Sequence, residues 1–219
     1  MTEMRTLRTF GSVQSQSMSQ IVRYLTHPQV RINPEQDVPQ WSLNDVGRAR
    51  VTSLAKRPGA LLGTTRVVSS AETKAFETAR PLADALDARL EVRPAMHEND
   101  RSATGFLAVE EFERVADQFF ARPNESVRGW EKAADAQRRI VAEVDAVLSE
   151  EDAGDVLIVG HGGVGTLLFC ALSNLPINRQ FDQGPGGGGC WFAFEREARR
   201  PLSRWKQMEE LVGHQAPPT

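Results

Sequence analysis

Short apolar runs alternate along this chain with longer segments in which apolar residues recur every three or four positions. Consecutive β-branched and other apolar residues predict strands over 21–26, 66–69, 90–92 and 155–159. The last of these runs is almost entirely apolar, which is typical of a strand buried on both faces, as in a parallel sheet. Helical spacing predicts helices over the following segments: 42–57, 70–87, 109–121, 129–148 and 164–172.

Residues that cap or interrupt helices refine these bounds. Ser42 and Asp45 resemble a capping box at the start of the first helix, and Ser70 is the predicted cap of the second. Pro81 is expected to kink or restart that second helix. The segments 190–194 and 202–206 are the predicted closing strands, and they follow a glycine-rich stretch at 184–189 that is either a mobile loop or a connecting turn.

Strands that alternate with helices indicate an α/β fold. We expect a three-layer αβα sandwich with a mostly parallel central sheet and helices on both faces. Residues 20–210 form the predicted single domain. Residues 1–19 are polar, serine-rich and aperiodic, and are predicted to be a flexible tail, as are residues 211–219.

Composition then narrows the function classes. Of 219 residues 25% are charged, with a formal net charge of −3, which argues against a nucleic-acid binder and against a polybasic membrane-surface protein. Apolar runs fall well short of the ~20 residues of a membrane span. The two cysteines do not make a disulfide framework and are too few for a thiolate zinc site. A cytoplasmic protein is the expectation.

Two of the four histidines occupy equivalent positions. His27 and His161 each follow directly on an apolar strand, whereas His97 lies in a loop and His214 near the C-terminus. In a parallel sheet both strand ends lie at the carboxyl edge, where ligands bind. Paired histidines beside helix N-termini suit an anion and suit phosphoryl transfer through a phosphohistidine. Either histidine alone is equally compatible with a packing role.

The motifs between these histidines resemble those of the histidine phosphatase superfamily, also called phosphoglycerate mutase-like. The resemblance spans about residues 20–207. It is carried by Trp41-Ser-Leu43 with Gly47-Arg48-Ala49, by the block from Ser69-Ser70 through Lys74-Ala75 to Thr78-Ala79, by Met96-His97-Glu98, and by His161-Gly162-Gly163.

The resemblance implies roles for individual residues. His27 is the implied nucleophile, and His161 the second histidine of the phosphate pocket. Lys74 is implied to neutralise phosphate charge, although a solvated helix lysine is the alternative. Glu98 is implied to be the general acid and base, with Asp100 as the competing candidate. His97 is interpreted as a substrate-side or surface residue.

The chain departs from the family pattern at the phosphate pocket. Arg-His-Gly of the family is Thr26-His27-Pro28 here, and an arginine of the middle block is replaced by Lys74. A lysine binds phosphate as a point charge rather than as a bidentate fork. Thr26 and Gly162 are counted as phosphate-side residues. The candidates to compensate for the missing arginine are Arg31, Arg48 and Arg101, among which the sequence does not choose.

A rival alignment places Arg23-Tyr24 on the family's Arg-His. We prefer His27, which keeps a histidine at the strand end. With His27 as the aligned histidine, Arg23 is expected to face solvent or to pair locally.

The predicted function is a phosphatase without metal or cofactor. Its substrate is a phosphorylated small molecule or phosphoprotein; nucleic acid and membrane are not expected partners. A mutase and a catalytically weak phosphate-binding protein are the alternatives. The run Gly160–Gly165 also fits a dinucleotide fingerprint, but the 54 residues after it are too few for that fold. The oligomeric state is left open, with a dimer among the options.

Overall fold

The computed structural model describes residues 20–150 and 154–212. The predicted tails, 1–19 and most of 211–219, lie outside these residues. Within these residues, five α-helices and six strands are the main elements, and six short 3-10 helices connect or follow them. The strands are β1 (Ile21–Thr26), β2 (Thr64–Ser70), β3 (Arg89–Arg93), β4 (Asp155–Gly160), β5 (Cys190–Glu195) and β6 (Lys206–Gln207). The helices are α1 (Asp45–Lys56), α2 (Thr73–Leu86), α3 (Val109–Ala121), α4 (Ala133–Ser149) and α5 (Gly162–Leu172).

All six strands belong to one sheet in the order β3-β2-β4-β1-β5-β6. The first four of these are mutually parallel, and β5 runs antiparallel to β1. The chain moves from β1 toward one edge of the sheet and from β4 toward the other. The strand order therefore reverses between β1 and β4, and the carboxyl ends of these two strands flank the crevice where α/β folds bind ligands.

Helices cover both faces of the sheet, which confirms the predicted three-layer architecture. Successive residues of β4 serve opposite faces, as the period of two requires. Val156 and Ile158 pack in the core beneath α3, α4 and α5. Leu157 and Val159 pack in the core beneath α1 and α2. Burial on both faces explains why this strand is almost uninterruptedly apolar.

Several predicted helix ends are wrong in detail. Asn44, not Ser42, caps α1, because the Asn44 side chain accepts a hydrogen bond from the Gly47 N–H. Glu72 occupies the cap position of α2, not Ser70. Pro81 lies inside α2, which continues to Leu86. In α1 the cap is a polar residue closer to the helix than Ser42. In α2 the predicted cap, Ser70, is instead the last residue of β2.

The C-terminal end of the domain also differs from expectation. Only Lys206 and Gln207 form β6, so most of the closing strand predicted over 202–206 is irregular. A short 3-10 helix, Met208–Val212, follows, and its Leu211 is fully buried beneath α1. This helix extends two residues past residue 210, where the sequence predicted the domain to end. No helix within residues 20–150 and 154–212 is long and apolar enough to cross a membrane.

Candidate active site

The two histidines meet at the carboxyl ends of β1 and β4. The parallel register pairs Thr26 with Gly160, so the residue after each strand lies at the same level. The backbone N–H of His27 donates to the Gly160 carbonyl over 3.0 Å. The centroids of the His27 and His161 rings are 5.3 Å apart, and the rings are inclined by 68°. The structure thus brings together the pair that the sequence singled out.

One ring nitrogen of His27 contacts the backbone, and the other has no hydrogen-bond partner among the described residues. Its Nδ1 lies 2.9 Å from the Pro28 carbonyl. A carbonyl can only accept, so Nδ1 carries the proton and Nε2 retains its lone pair. Burial and the nearby charge of Lys74 lower the pKa of His27 to about 4. The imidazole is therefore neutral at neutral pH, which is the form that attacks as a nucleophile.

The glycine-rich segment packs against the backbone of His27. The Gly189 N–H donates to the His27 carbonyl over 3.0 Å. Gly188 has a φ of +85°, and a Cβ there would lie 2.2 Å from the same carbonyl oxygen. Only glycine permits both the left-handed backbone and this close approach. The sequence left open whether residues 184–189 form a mobile loop or a connecting turn. Gly188 and Gly189 behave as a connecting turn that packs against the backbone of His27.

His161 is fully buried and is held from behind by Tyr24. The Tyr24 hydroxyl donates to the His161 carbonyl and accepts from the His161 N–H, each over 3.0 Å. The His161 Nε2 lies 2.9 Å from the Ser70 hydroxyl, whereas its Nδ1 has no hydrogen-bond partner among the described residues. Burial lowers the pKa of His161, although the charge of Glu72 opposes the shift.

A buried ion pair lies beside the histidines. Lys74 donates to the Glu72 carboxylate and, over 2.9 Å, to the Val38 carbonyl. The other oxygen of Glu72 accepts from the Glu98 N–H over 2.8 Å and lies 3.6 Å from the His161 Nε2. Burial alone would raise the pKa of Glu72, but His161, Lys74 and the hydrogen bonds lower it to about 2. Lys74 is thus at the site, with its charge largely balanced by Glu72.

Glu98 occupies the N-terminus of α5. Its carboxylate accepts backbone N–H groups of Gly163 at 3.1 Å and Val164 at 2.9 Å, and a third from Asn99 at 3.1 Å. Helix N-termini favour an anion. The sequence predicted an anion at this position, and in the structure the anion is the protein's own carboxylate.

Arg139 of α4 fixes the loop that carries Glu98. Its guanidinium donates to the carbonyls of Ala95 at 2.7 Å and His97 at 3.0 Å. It also donates to the Glu131 carboxylate over 2.7 Å. Glu131 in turn accepts the Asp100 N–H, which holds the other end of the same loop. Arg139 therefore positions the Glu98 backbone from the layer beneath.

Of the three arginines considered to compensate for the missing one, the structure brings only Arg101 to the site. Arg101 lines the cavity described below, lies close enough to the histidines to lower their pKa, and stacks 4.9 Å over the Phe112 ring. Within the described part of the chain its guanidinium has no hydrogen-bond partner.

Arg31 is exposed and does not line the cavity. Arg48 is exposed on α1 and pairs with Glu77 over 3.5 Å. Neither Arg31 nor Arg48 therefore lies where it could replace the missing arginine at this cavity.

The Thr26 hydroxyl is engaged by groups of the protein itself. It accepts from the Cys190 N–H at 3.0 Å and donates to the Gln183 side chain at 2.7 Å. Thr26 therefore anchors the start of β5. Gly162 opens α5 directly under Gln183, whose amide nitrogen would lie 2.4 Å from a Cβ there.

The rival strand register is also excluded by position. Tyr24 lies within β1, behind His161, and Arg23 is buried in an ion pair with Asp155 at 2.7 Å. Arg23 therefore pairs locally rather than facing solvent.

A cavity of about 530 Å³ opens next to Glu72, whose carboxylate lies 3.6 Å from the His161 Nε2. Its walls come from residues 34–39 and 97–106, and Glu72, Glu98 and Arg101 lie on its surface. His97, interpreted as a substrate-side or surface residue, and Asp100 also line it. This volume lies in the range of small-molecule pockets. Within the described residues, no three His, Cys, Asp or Glu side chains cluster as metal ligands.

Sequence reasoning missed Glu72, Tyr24, Ser70 and Arg139. Glu72 had a detectable signal, since it is an acidic residue two positions before the predicted pocket lysine at a helix start. Tyr24 and Arg139 had none, because their partners lie 137 and about 40 residues away in the chain.

The chain is thus a mostly parallel αβα sandwich with two histidines at its topological switch point. The profile described as "Histidine phosphatase superfamily (branch 1)" matches residues 25–206. The chain belongs to this superfamily. No curated protein matches it.

Solved structures agree at the level of the fold. YhfR of Bacillus stearothermophilus superposes with a TM-score of 0.70 and 21% identity, over 84% of this chain and 94% of that one. A mycobacterial glucosyl-3-phosphoglycerate phosphatase in complex with inorganic phosphate gives 0.68 and 20%, over 86% and 95%. Mycobacterial hydrolase 1 gives 0.69 and 19%, over 86% and 96%.

The clamp on His161 predicts an unusual titration of Tyr24. Burial raises the pKa of its hydroxyl above the ordinary value of about 10. Because Tyr24 is the only tyrosine, ultraviolet absorbance reports it alone. The folded protein should show no phenolate near pH 10, whereas the urea-unfolded protein should titrate there. A step near pH 10 in the folded protein would contradict the clamp.

Proposed function

We propose that this protein is a phosphomonoesterase that transfers the phosphoryl group of its substrate to Nε2 of His27. One observation carries the proposal: a neutral imidazole with a free Nε2 stands beside a second imidazole, and Glu72, which lies 3.6 Å from the Nε2 of that second ring, lines a small-molecule cavity. The phosphatase relatives within the superfamily support the same reaction class.

In the first step the His27 Nε2 attacks phosphorus and the bond from phosphorus to the ester oxygen breaks. The alcohol leaves with a proton, and the phosphoryl group remains on His27. The His161 Nδ1 lacks a partner among the described residues. In the tautomer that carries its proton on Nδ1, His161 donates a hydrogen bond to a phosphoryl oxygen. Ser70 favours that tautomer by donating its hydroxyl proton to the His161 Nε2.

Glu98 handles the proton. Its carboxylate, which accepts three backbone N–H groups, takes the proton of an entering phosphate monoanion and then passes that proton to the leaving oxygen. In the second step water attacks the phosphohistidine, the P–N bond breaks, and Glu98 accepts the proton of the water. Inorganic phosphate and neutral His27 result.

In the proposed reaction Arg101 supplies the positive charge that binds the phosphoryl group. Lys74 is already paired with Glu72, whereas the Arg101 guanidinium is free to bind the phosphoryl oxygens as a fork. Arg101 is the only lysine or arginine among the described residues that line the cavity. Because a mutase must also hold a second anionic group, this distribution favours a phosphatase over a mutase.

A phosphate-binding protein without turnover is the second candidate. The Glu72–Lys74 pair favours it, because it leaves less net positive charge at the site than the family pattern implies. Retention of both histidines and Glu98 favours the enzyme.

Trapping of the phosphohistidine tests the proposed function. Incubation with a ³²P-labelled phosphomonoester followed by rapid denaturation should give a label that is stable to base and lost in acid. His27→Ala should abolish the label and lower kcat by at least about a thousandfold, because the nucleophile is removed. His214→Ala is the matched control and should retain both.

Two outcomes would contradict this account in different ways. Label that persists in His27→Ala would mean that another residue is the nucleophile. Phosphate binding by calorimetry without label or turnover across a broad set of phosphoesters would establish the binding protein instead.

The choice among the three arginines gives a separate prediction. Arg101→Ala should lower kcat/KM by about 10- to 100-fold, because a charge-assisted contact to phosphate contributes about 1.5–3 kcal/mol. Arg31→Ala and Arg48→Ala should stay within about twofold of wild type. Steady-state kinetics on one ester, with circular dichroism to verify folding, measures all three. A larger loss for Arg48→Ala than for Arg101→Ala would overturn the assignment.

A further inference from the structure

The cavity next to Glu72 is divided by charge. Arg101 lies with Glu72 and Glu98, the carboxylates nearest to the histidines. The outer wall carries the side chains of Glu35, Asp37 and Asp100, all exposed. None of these three forms an ion pair with a lysine or arginine of the described residues. The mouth of the cavity therefore carries unpaired negative charge, whereas at the inner end the guanidinium of Arg101 lies among Glu72 and Glu98.

The other charged and titratable neighbours do not cancel this acidity. The Ser102 N–H, which donates to Asp100, lowers the pKa of the Asp100 carboxyl and keeps it ionised. His97 lies beside Asp100, and its Nδ1 binds the Glu98 carbonyl at 2.6 Å. Arg139 also contributes to the field at Asp100, but its guanidinium is bound to Glu131.

An aromatic surface adjoins these carboxylates. Phe106 lines the cavity and is 37% exposed, and its ring lies 6.0 Å from that of the buried Trp41. The Trp41 indole N–H donates to the carbonyls of Asn33 at 2.9 Å and Gln36 at 3.1 Å, which orders the loop that carries Glu35. Aromatic faces and carboxylates together are the environment that binds ammonium groups.

Asn99 provides independent evidence for a polar ligand. Its side chain lies on the cavity wall and is only 8% exposed, yet its Nδ2 has no hydrogen-bond partner among the described residues. An unsatisfied buried donor destabilises a protein. An oxygen of a bound ligand would satisfy it.

We propose that this cavity selects a phosphomonoester whose leaving alcohol carries a positively charged amine and no second anionic group. The inference rests on the proposed function, since it assigns the phosphoryl group to the inner end at Arg101. The amine then lies between Phe106 and the carboxylates of Glu35, Asp37 and Asp100.

Three esters with the same three-carbon chain test this selection. The chain ends in an ammonium group in 3-aminopropyl phosphate, in a methyl group in butyl phosphate and in a carboxylate in 4-phosphooxybutanoate. We expect kcat/KM to fall in that order, with at least about a tenfold difference between the first and the last. Equal values for the amine and methyl esters, or a preference for the carboxylate ester, would overturn the proposal.

A double variant tests the origin of the preference. Glu35→Gln with Asp37→Asn removes two negative charges whose side chains make no hydrogen bond among the described residues, and should reduce the ratio of amine to carboxylate ester by about threefold or more. Asp84→Asn, an exposed site on α2 paired with Arg80, is the matched control and should retain the wild-type ratio. An unchanged ratio in the double variant would refute the role of the mouth.

Binding separates this proposal from the proposed function. The corresponding phosphonates, with a methylene in place of the ester oxygen, cannot be hydrolysed, so calorimetry on the full chain reports selection without turnover. Tightest binding of the amine phosphonate supports the proposal even if no ester reacts, in which case only the catalytic function fails. Equal affinities for the three phosphonates would overturn the selection whether or not esters are hydrolysed.

Discussion

The in-register parallel pairing of β1 with β4 is the constraint on which the site depends. It ends at Thr26 and Gly160, so that His27 and His161 leave the sheet side by side. A slip by one residue would turn Tyr24 to the opposite face of the sheet and remove its two hydrogen bonds to His161.

Charge balance follows from this geometry. Burial leaves both imidazoles neutral, and a neutral imidazole is the form that the proposed attack by the His27 Nε2 requires. Glu72 and Lys74 offset each other, and Glu98 occupies the N-terminus of α5. Arg101 is then the one cationic side chain near the histidines, within the described residues, whose hydrogen-bonding capacity is unused. The near-neutral net charge of the chain is compatible with phosphate chemistry because the positive charge is local.

Much of the fold follows from local patterns, and the site only partly does. The apolar runs of β1 and β4 and the helical spacing over 109–121 predict those elements well, because burial imposes the pattern directly. The histidine pair could be predicted since each residue ends such a run. The caps at Asn44 and Glu72 could not be chosen over Ser42 and Ser70, because several polar residues near each helix start satisfy the same local rule.

Long-range partners could not be predicted at all. The choice of Arg101 over Arg31 and Arg48 depends on which loop folds over the crevice, and the support of the Glu98 loop depends on Arg139 in a distant helix. The bond of Thr26 to Cys190 depends on β5 joining β1. No periodicity encodes such contacts, which arise only when the sheet assembles.

The most direct measurement is a crystal structure of the protein with orthovanadate, which mimics the geometry of phosphoryl transfer. The account predicts vanadium within bonding distance of the His27 Nε2, with equatorial oxygens on the His161 Nδ1 and on the Arg101 guanidinium. Vanadate bound in the cavity without contact to His27, or held by Arg48 rather than Arg101, would contradict it.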